Sequence, residues 1–213
     1  MGLDDEALTE TGLARQDQGR ILLLACGALA HEVLALQRLN GWQHMDLQCL
    51  PAKLHLYPAK ITAEVERVVL AARGAYATIF VLYADCGTGG LLLEKCKALG
   101  VQMLSGPHCY SFFEGNAGFL ARSETEFTAF YLTDFLVRQF DAFVWRPMGL
   151  DRHPELRDMY FGNYTKLVYQ AQTNDPALDL KAEDCAARLG LAYERRFTGY
   201  GDLAVEMAAM AKA

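Results

Sequence analysis

The segment Ala77-Thr-Ile-Phe-Val-Leu-Tyr-Ala-Asp85, running into Cys86-Gly-Thr-Gly-Gly90, decides the fold. It is rich in β-branched and aromatic residues, is bounded by glycine, and is apolar on both alternating faces, the pattern of a strand buried between two layers. A sheet covered on both sides needs helices on both sides, and the flanking sequence supplies them. Arg20-Ile-Leu-Leu-Leu-Ala-Cys26-Gly27 is a second continuous apolar run, turning into a helix over Ala28–Leu39 with Leu29, Val33 and Leu36 on one stripe. Asp46–Cys49 with Leu50 reads as a shorter strand, Pro51 and Pro58 break up the connection, and Thr62–Arg73 reads as a helix capped by Thr62. Leu91–Leu99 reads as a helix closed by Gly100, with Val101–Leu104 as the next strand.

Farther on, the apolar pattern predicts a long helix over Glu124–Phe140, a strand over Ala142–Trp145 and a helix over Pro154–Asn163. The tail continues with Leu167–Gln172, a helix over Leu180–Leu189 stopped by Gly190, then Tyr193–Thr198 and Leu203–Ala211. Strands alternating with helices pair in parallel through right-handed crossovers. The expectation is a Rossmann-like α/β three-layer sandwich with one mostly parallel sheet of six or so strands, Ile79–Ala84 at its centre. No linker rich in Pro, Gly or Ser divides the chain, so residues 20–213 read as a single domain behind a flexible leader, residues 1–19.

Composition narrows the partners. With 52% hydrophobic and 22% charged residues, the 213-residue chain folds by burial. A net charge of −6 and the lack of a basic stripe argue against nucleic acid. The apolar runs are strand-sized, which argues against a membrane span, and the polar leader does not read as a secretory signal. The expected location is cytoplasmic. In a reducing compartment, the six cysteines are more useful as buried, catalytic or metal-bound thiols than as disulfides.

Their positions are informative. Cys26, Cys86 and Cys109 each follow a strand, and Cys49 ends the short second one with His55 close behind. In an open α/β sheet the carboxyl ends of neighbouring strands converge on one crevice, so residues distant in sequence meet there. Cysteine and histidine suit zinc or an iron–sulfur cluster, whereas carboxylates suit magnesium or calcium. Against this, cysteine is among the most buried residue types and often packs as a small hydrophobe, and no CxxC pair is present. Cys96 and Cys185 fall inside helices and read as packing or surface residues. Cys26 and Cys86 precede helices, whose N-terminal field would lower a thiol pKa.

Three further features border the same crevice. The turn Gly87-Thr88-Gly89-Gly90 either cradles an anionic ligand on its N–H groups or simply lets the chain turn tightly; it is neither a dinucleotide fingerprint nor a P-loop. His108 beside Cys109 is a candidate catalytic residue that could ligate, orient or shuttle a proton, with a Cys–His nucleophilic pair as the rival reading. Tyr110 is a candidate for the ligand pocket, along with Tyr57, Phe112 and Phe113, although core packing accounts for most aromatics.

Taken together, Ala25-Cys-Gly-Ala-Leu29, Cys49-Leu-Pro-Ala-Lys-Leu-His55, Tyr83-Ala-Asp-Cys-Gly-Thr-Gly-Gly90 and Gly106-Pro-His-Cys-Tyr110 resemble a family known as a domain of unknown function. The likeness continues through Leu132-Thr-Asp-Phe135, Gly149-Leu-Asp-Arg-His-Pro154 and Asn163-Tyr164. Members of that family carry cysteines at these positions, and many are encoded near corrinoid-dependent methyltransferases. The resemblance implies a place in methyl-group or one-carbon metabolism, with a small-molecule ligand and a corrinoid protein or methyltransferase as partners. The leading expectation is thus a metal ion or iron–sulfur cluster held by Cys26, Cys86 and Cys109, with Cys49 or His55 as a fourth ligand. The alternatives are a non-catalytic module that presents a corrinoid or methylated ligand to a methyltransferase, and a cofactorless thiol enzyme.

Overall fold

A computed structural model describes residues 3–15, 20–123 and 125–212. The chain divides into two compact units, the first made of Met1–Cys109 with Leu203–Ala213, the second of Tyr110–Asp202.

Unit 1 contains α1 (Asp5–Glu10), β1 (Ile21–Cys26), α2 (Ala30–Asn40), β2 (Met45–Leu50), α3 (Ile61–Ala72), β3 (Thr78–Leu82), α4 (Leu91–Leu99) and β4 (Gln102–Met103). Its four strands form an all-parallel sheet in the order β2-β1-β3-β4. The chain moves outwards from β1 to β2, then returns to the other side of β1 to lay down β3. That reversal makes the carboxyl ends of β1 and β3 a topological switch point, the standard binding position in open α/β sheets. As expected, β3 is internal, and Phe80 to Ala84 are almost wholly buried. The helix expected to start at a Thr62 cap starts instead at Ile61, fed by a 3-10 turn over Pro58–Lys60, because proline presets the backbone of a first turn.

Part of the expected flexible leader is structured. Leu8 of α1 is 1% exposed, and a Cβ on Gly27 would meet the Leu8 carbonyl at 2.4 Å, so the chain packs here backbone to backbone. Leu13 and Cys49 exchange two backbone hydrogen bonds, of 2.9 and 2.8 Å, which fasten the segment to the edge strand β2.

Unit 2 contains α5 (Ser111–Glu114), α6 (Asn116–Ser123), β5 (Ala129–Thr133), α7 (Asp134–Arg138), α8 (Arg157–Phe161), β6 (Lys166–Ala171), α9 (Pro176–Leu189) and β7 (Ala192–Phe197). The last helix, α10 (Gly201–Met210), begins in this unit and lies mostly in unit 1, where the Ala211 carbonyl meets His44 Nε2 at 3.1 Å. Strands β5-β6-β7 make a second parallel sheet. One face packs Leu132, Leu167, Tyr169 and Ala171 against Val137, Phe140, Ala182 and Leu189 of the neighbouring segments. The other face is polar: Arg196 bridges Glu114, Glu126 and Glu194, and Lys166 joins Glu126 and Glu194.

The seven strands are therefore shared between two sheets, three-layer α/β in class, instead of forming one sheet. Two assignments in this region change. Residues expected to be helical up to Phe140 form β5 and then α7, because Phe130, Tyr131 and Thr133 favour a strand and Thr133 Oγ1 caps the helix that starts at Asp134. Glu124, where that helix was expected to begin, lies outside the described residues. The expected strand Ala142–Trp145 is a π-helical turn, Asp141–Trp145, for a short apolar run has no period that separates the two.

Candidate metal centre

Four loops at the carboxyl end of the first sheet bring the chemistry together. Beyond β1, Cys26 Sγ accepts from the Ala28 N–H at 3.4 Å and caps a short 3-10 turn leading into α2. Beyond β2, the 3-10 turn Ala52–Leu56 carries His55. Beyond β3 comes Cys86, the only described non-glycine residue with positive φ, at +48°. Beyond β4 the chain continues in ladder fashion alongside β3: Leu104 N donates to Val81 O at 3.1 Å, Asp85 N to Gly106 O at 3.0 Å, and Cys86 N to Pro107 O at 3.2 Å. That ladder carries Cys109 to Cys86.

The result is a compact triad. Cys86 Sγ and Cys109 Sγ are 3.1 Å apart, and Cys109 Sγ is 4.0 Å from His55 Nε2. One ligating atom from each of His55, Cys86 and Cys109 lies within 4.8 Å of the other two. Donors of a single tetrahedral ion, at about 2.3 Å for sulfur and 2.0–2.1 Å for nitrogen, sit about 3.5–4 Å from one another. The distances in the triad, from 3.1 Å to no more than 4.8 Å, bracket that spacing.

Electrostatics prepare it further. A hydrogen bond from Cys109, aided by His55 and opposed by burial, lowers the Cys86 thiol to a pKa of about 4. Cys109 is pushed well above the usual thiol range, first by that same bond to Cys86 and then by burial. Burial works against a charged His55, but the charges and hydrogen bonds of Cys26 and Cys86 outweigh it and hold the imidazole well above its ordinary pKa. The shifts thus favour a thiolate at Cys86, with protons kept on Cys109 and His55. A divalent ion would displace both protons.

The other ring nitrogen of His55 faces inwards. Nδ1 lies 3.2 Å from the Ala52 carbonyl and 3.4 Å from Cys26 Sγ. A proton held on Nδ1 by that carbonyl leaves the Nε2 lone pair directed at the cysteines, the arrangement by which metal-bound histidines are oriented. Cys26 thus bears on the imidazole and stands outside the triad. So does Cys49, whose thiol is raised by burial, then by the charges of Cys26 and Glu32. Cys96 and Cys185 are buried in helices, and burial pushes each up to about 11.

The glycine turn has an anion of its own. The Asp85 carboxylate accepts from Gly90 N at 2.6 Å, Gly89 N at 3.2 Å and Thr88 Oγ1 at 3.0 Å. These bonds, led by Gly90, hold Asp85 below the usual carboxylate range. Gly89 and Gly90 adopt φ of +63° and +86°, and a Cβ on either would meet nothing within 4 Å, so the turn needs glycine for its backbone and not for room. His108 is solvent-exposed, beside a half-buried Cys109. Tyr110 belongs to unit 2, stacked on Tyr131 at 5.8 Å with Phe119 edge-on to it.

Sequence reasoning reached His55 only as an optional fourth ligand, yet it is the residue that both Cys26 and Cys109 approach. Tyr83 was missed altogether. It is fully buried and its ring lies parallel to that of His55, 6.1 Å away.

No helix among the described residues is long and apolar enough to cross a membrane. No curated protein and no solved structure matches the chain. A family model does match, over residues 49–205, which includes all three residues of the triad and Tyr83. The chain belongs to that family, described as a protein of unknown function, DUF1638.

Proposed function

We propose that the protein holds one thiophilic divalent ion, zinc before others, on His55, Cys86 and Cys109, and that the fourth position serves an exogenous ligand. The observation carrying this reading is the spacing of the three donor atoms, all within 4.8 Å of one another. A [4Fe–4S] cluster sets its thiolates farther apart, each on its own iron, so a triad this tight favours a mononuclear site over that cluster. Three protein ligands with one position left over is the catalytic form of zinc site, in which the ion lowers the pKa of a bound water or thiol. A zinc-activated thiol is a methyl acceptor, which agrees with the methyl-group or one-carbon role, and the corrinoid or methyltransferase partner, that the family resemblance implies.

A second reading draws on the Cys86 thiolate beside His55: a metal-free thiol enzyme with Cys86 as nucleophile. One measurement separates the two. Protein purified without oxygen or chelator should contain about one zinc per chain, remain colourless, and resist alkylation at Cys86 until the metal is stripped. A brown protein would point to a cluster and a red one to a corrinoid. Metal-free protein that takes up no added zinc and loses function to stoichiometric alkylation would overturn the metal reading.

A further inference from the structure

The Tyr83 hydroxyl does nothing for the fold. The side chain is fully buried, and its Oη meets no hydrogen-bond partner among the described residues. A buried hydroxyl left unmet costs about 1–3 kcal/mol, and phenylalanine would fill the same space without that cost. Its surroundings are those of the metal centre: the ring stacks on His55 at 6.1 Å with 10° between planes. A phenolic hydroxyl is protonated at neutral pH, so Tyr83 brings a buried hydrogen-bond donor next to His55. A donor kept at this cost beside a three-ligand site has an obvious acceptor in whatever completes the site.

Building on the metal reading above, we propose that Tyr83 is a positioning residue whose Oη donates a hydrogen bond to the exogenous ligand in the fourth position, and that this ligand is a small thiol bound as its thiolate. The choice of sulfur follows from the ligand set. Two thiolates and an imidazole make the ion soft, and Cys86 is only 7% exposed, so water is held there poorly and a sulfur donor well. Binding is a ligand exchange: the thiol gives its proton to solvent as its sulfur displaces bound water, and no electrons change hands. The hydroxyl stabilises the charge that appears on sulfur, and it does so only once the thiol has ionised.

The test uses full-length protein loaded with Co(II), whose sulfur-to-cobalt charge-transfer absorption reports each bound thiolate. Wild type should take up about one cobalt and gain absorption on titration with 2-mercaptoethanol. Tyr83→Phe should load cobalt equally, yet bind 2-mercaptoethanol about 10- to 100-fold more weakly, the usual cost of losing an outer partner of a metal site. Tyr160→Phe, an exposed control in the second unit, should match wild type. Equal thiol affinity in wild type and Tyr83→Phe would overturn the proposal while leaving the metal reading intact. If wild type takes up no cobalt, the metal reading itself fails. The metal-free variant should melt at or above the wild-type temperature; a lower melt would show that the hydroxyl has a structural partner, which also overturns the proposal.

Discussion

Cys86 is where backbone and chemistry pull in opposite directions. At φ +48° a side chain is crowded by its own carbonyl, at a cost of roughly 1–2 kcal/mol, and such positions persist where the surroundings impose them. Cys86→Gly and Cys86→Ala should both lose the metal, but the glycine variant should be the more stable of the two by about 1 kcal/mol in chemical denaturation, since only alanine keeps the crowded Cβ. Equal stabilities would mean that the conformation carries no strain. Cys26 offers a different contrast. It touches Nδ1 of His55 from outside the triad, so Cys26→Ser should bind zinc at normal stoichiometry with affinity weakened about 10- to 100-fold, whereas Cys109→Ser should bind none tightly. Competition with a chromogenic chelator measures both. The strand-end cysteines were visible in the sequence because each follows an apolar run. The centrality of His55 was not, because it depends on how one 3-10 turn aims a ring past the Ala52 carbonyl. Tyr83 was hidden for another reason: in a strand buried on both faces, a tyrosine reads as one more core aromatic.

Among the elements, α1 deserves comparison with the reading of residues 1–19 as a leader. A six-residue helix has little stability of its own, and its sequence gives few signs of order. It is fixed by what it touches: Leu8 is buried, Asp5 Oδ1 lies 2.6 Å from His31 Nε2, and Glu10 pairs with Lys53, two residues before His55. Deleting residues 1–13 should therefore leave the fold recognisable by circular dichroism yet speed zinc loss to excess chelator several-fold. An unchanged rate would show that α1 plays no part in holding the turn of His55. The strand and helix assignments held best where an element is long or bounded by glycine, as in β1, β3 and α4. They failed between Phe127 and Trp145, where aromatic residues in short runs satisfy both periods and the outcome is set by packing on β6.

At the scale of the whole chain, two compact units mean two stabilities. The sequence shows the alternation of strands and helices, but not which strands pair, because no linker marks the division and all seven strands look alike. Unit 2 should be sensitive to acid through Glu126. Arg196 first, then Tyr131 and Lys166, hold Glu126 down at about 2, well below the ordinary value of 4.5. A carboxylate whose folded pKa is depressed contributes stability that is fully present above the unfolded value and is lost as pH falls towards the folded one. Unit 2 should accordingly weaken between about pH 4.5 and pH 2. Each unit holds one of the two tryptophans, Trp42 in the first and Trp145 in the second, so Trp42→Phe leaves a fluorescence signal from unit 2 alone. Glu126→Gln should flatten the acid dependence of that signal; a profile unchanged by the substitution would remove Glu126 as its cause.

The discontinuity of unit 1 has a consequence for how the molecule is made. The residues of its candidate metal centre are complete once Cys109 has been synthesised, but Leu203, Met207 and Met210, which are buried in the finished fold, are added only after the whole of Tyr110–Asp202. At ordinary elongation rates that interval is on the order of 5–20 s. During it the nascent chain carries an assembled set of thiols in a unit still missing its final helix. Zinc captured on the ribosome would protect those thiols through the wait, so the timing of metal delivery, and not only its affinity, bears on the yield of intact protein.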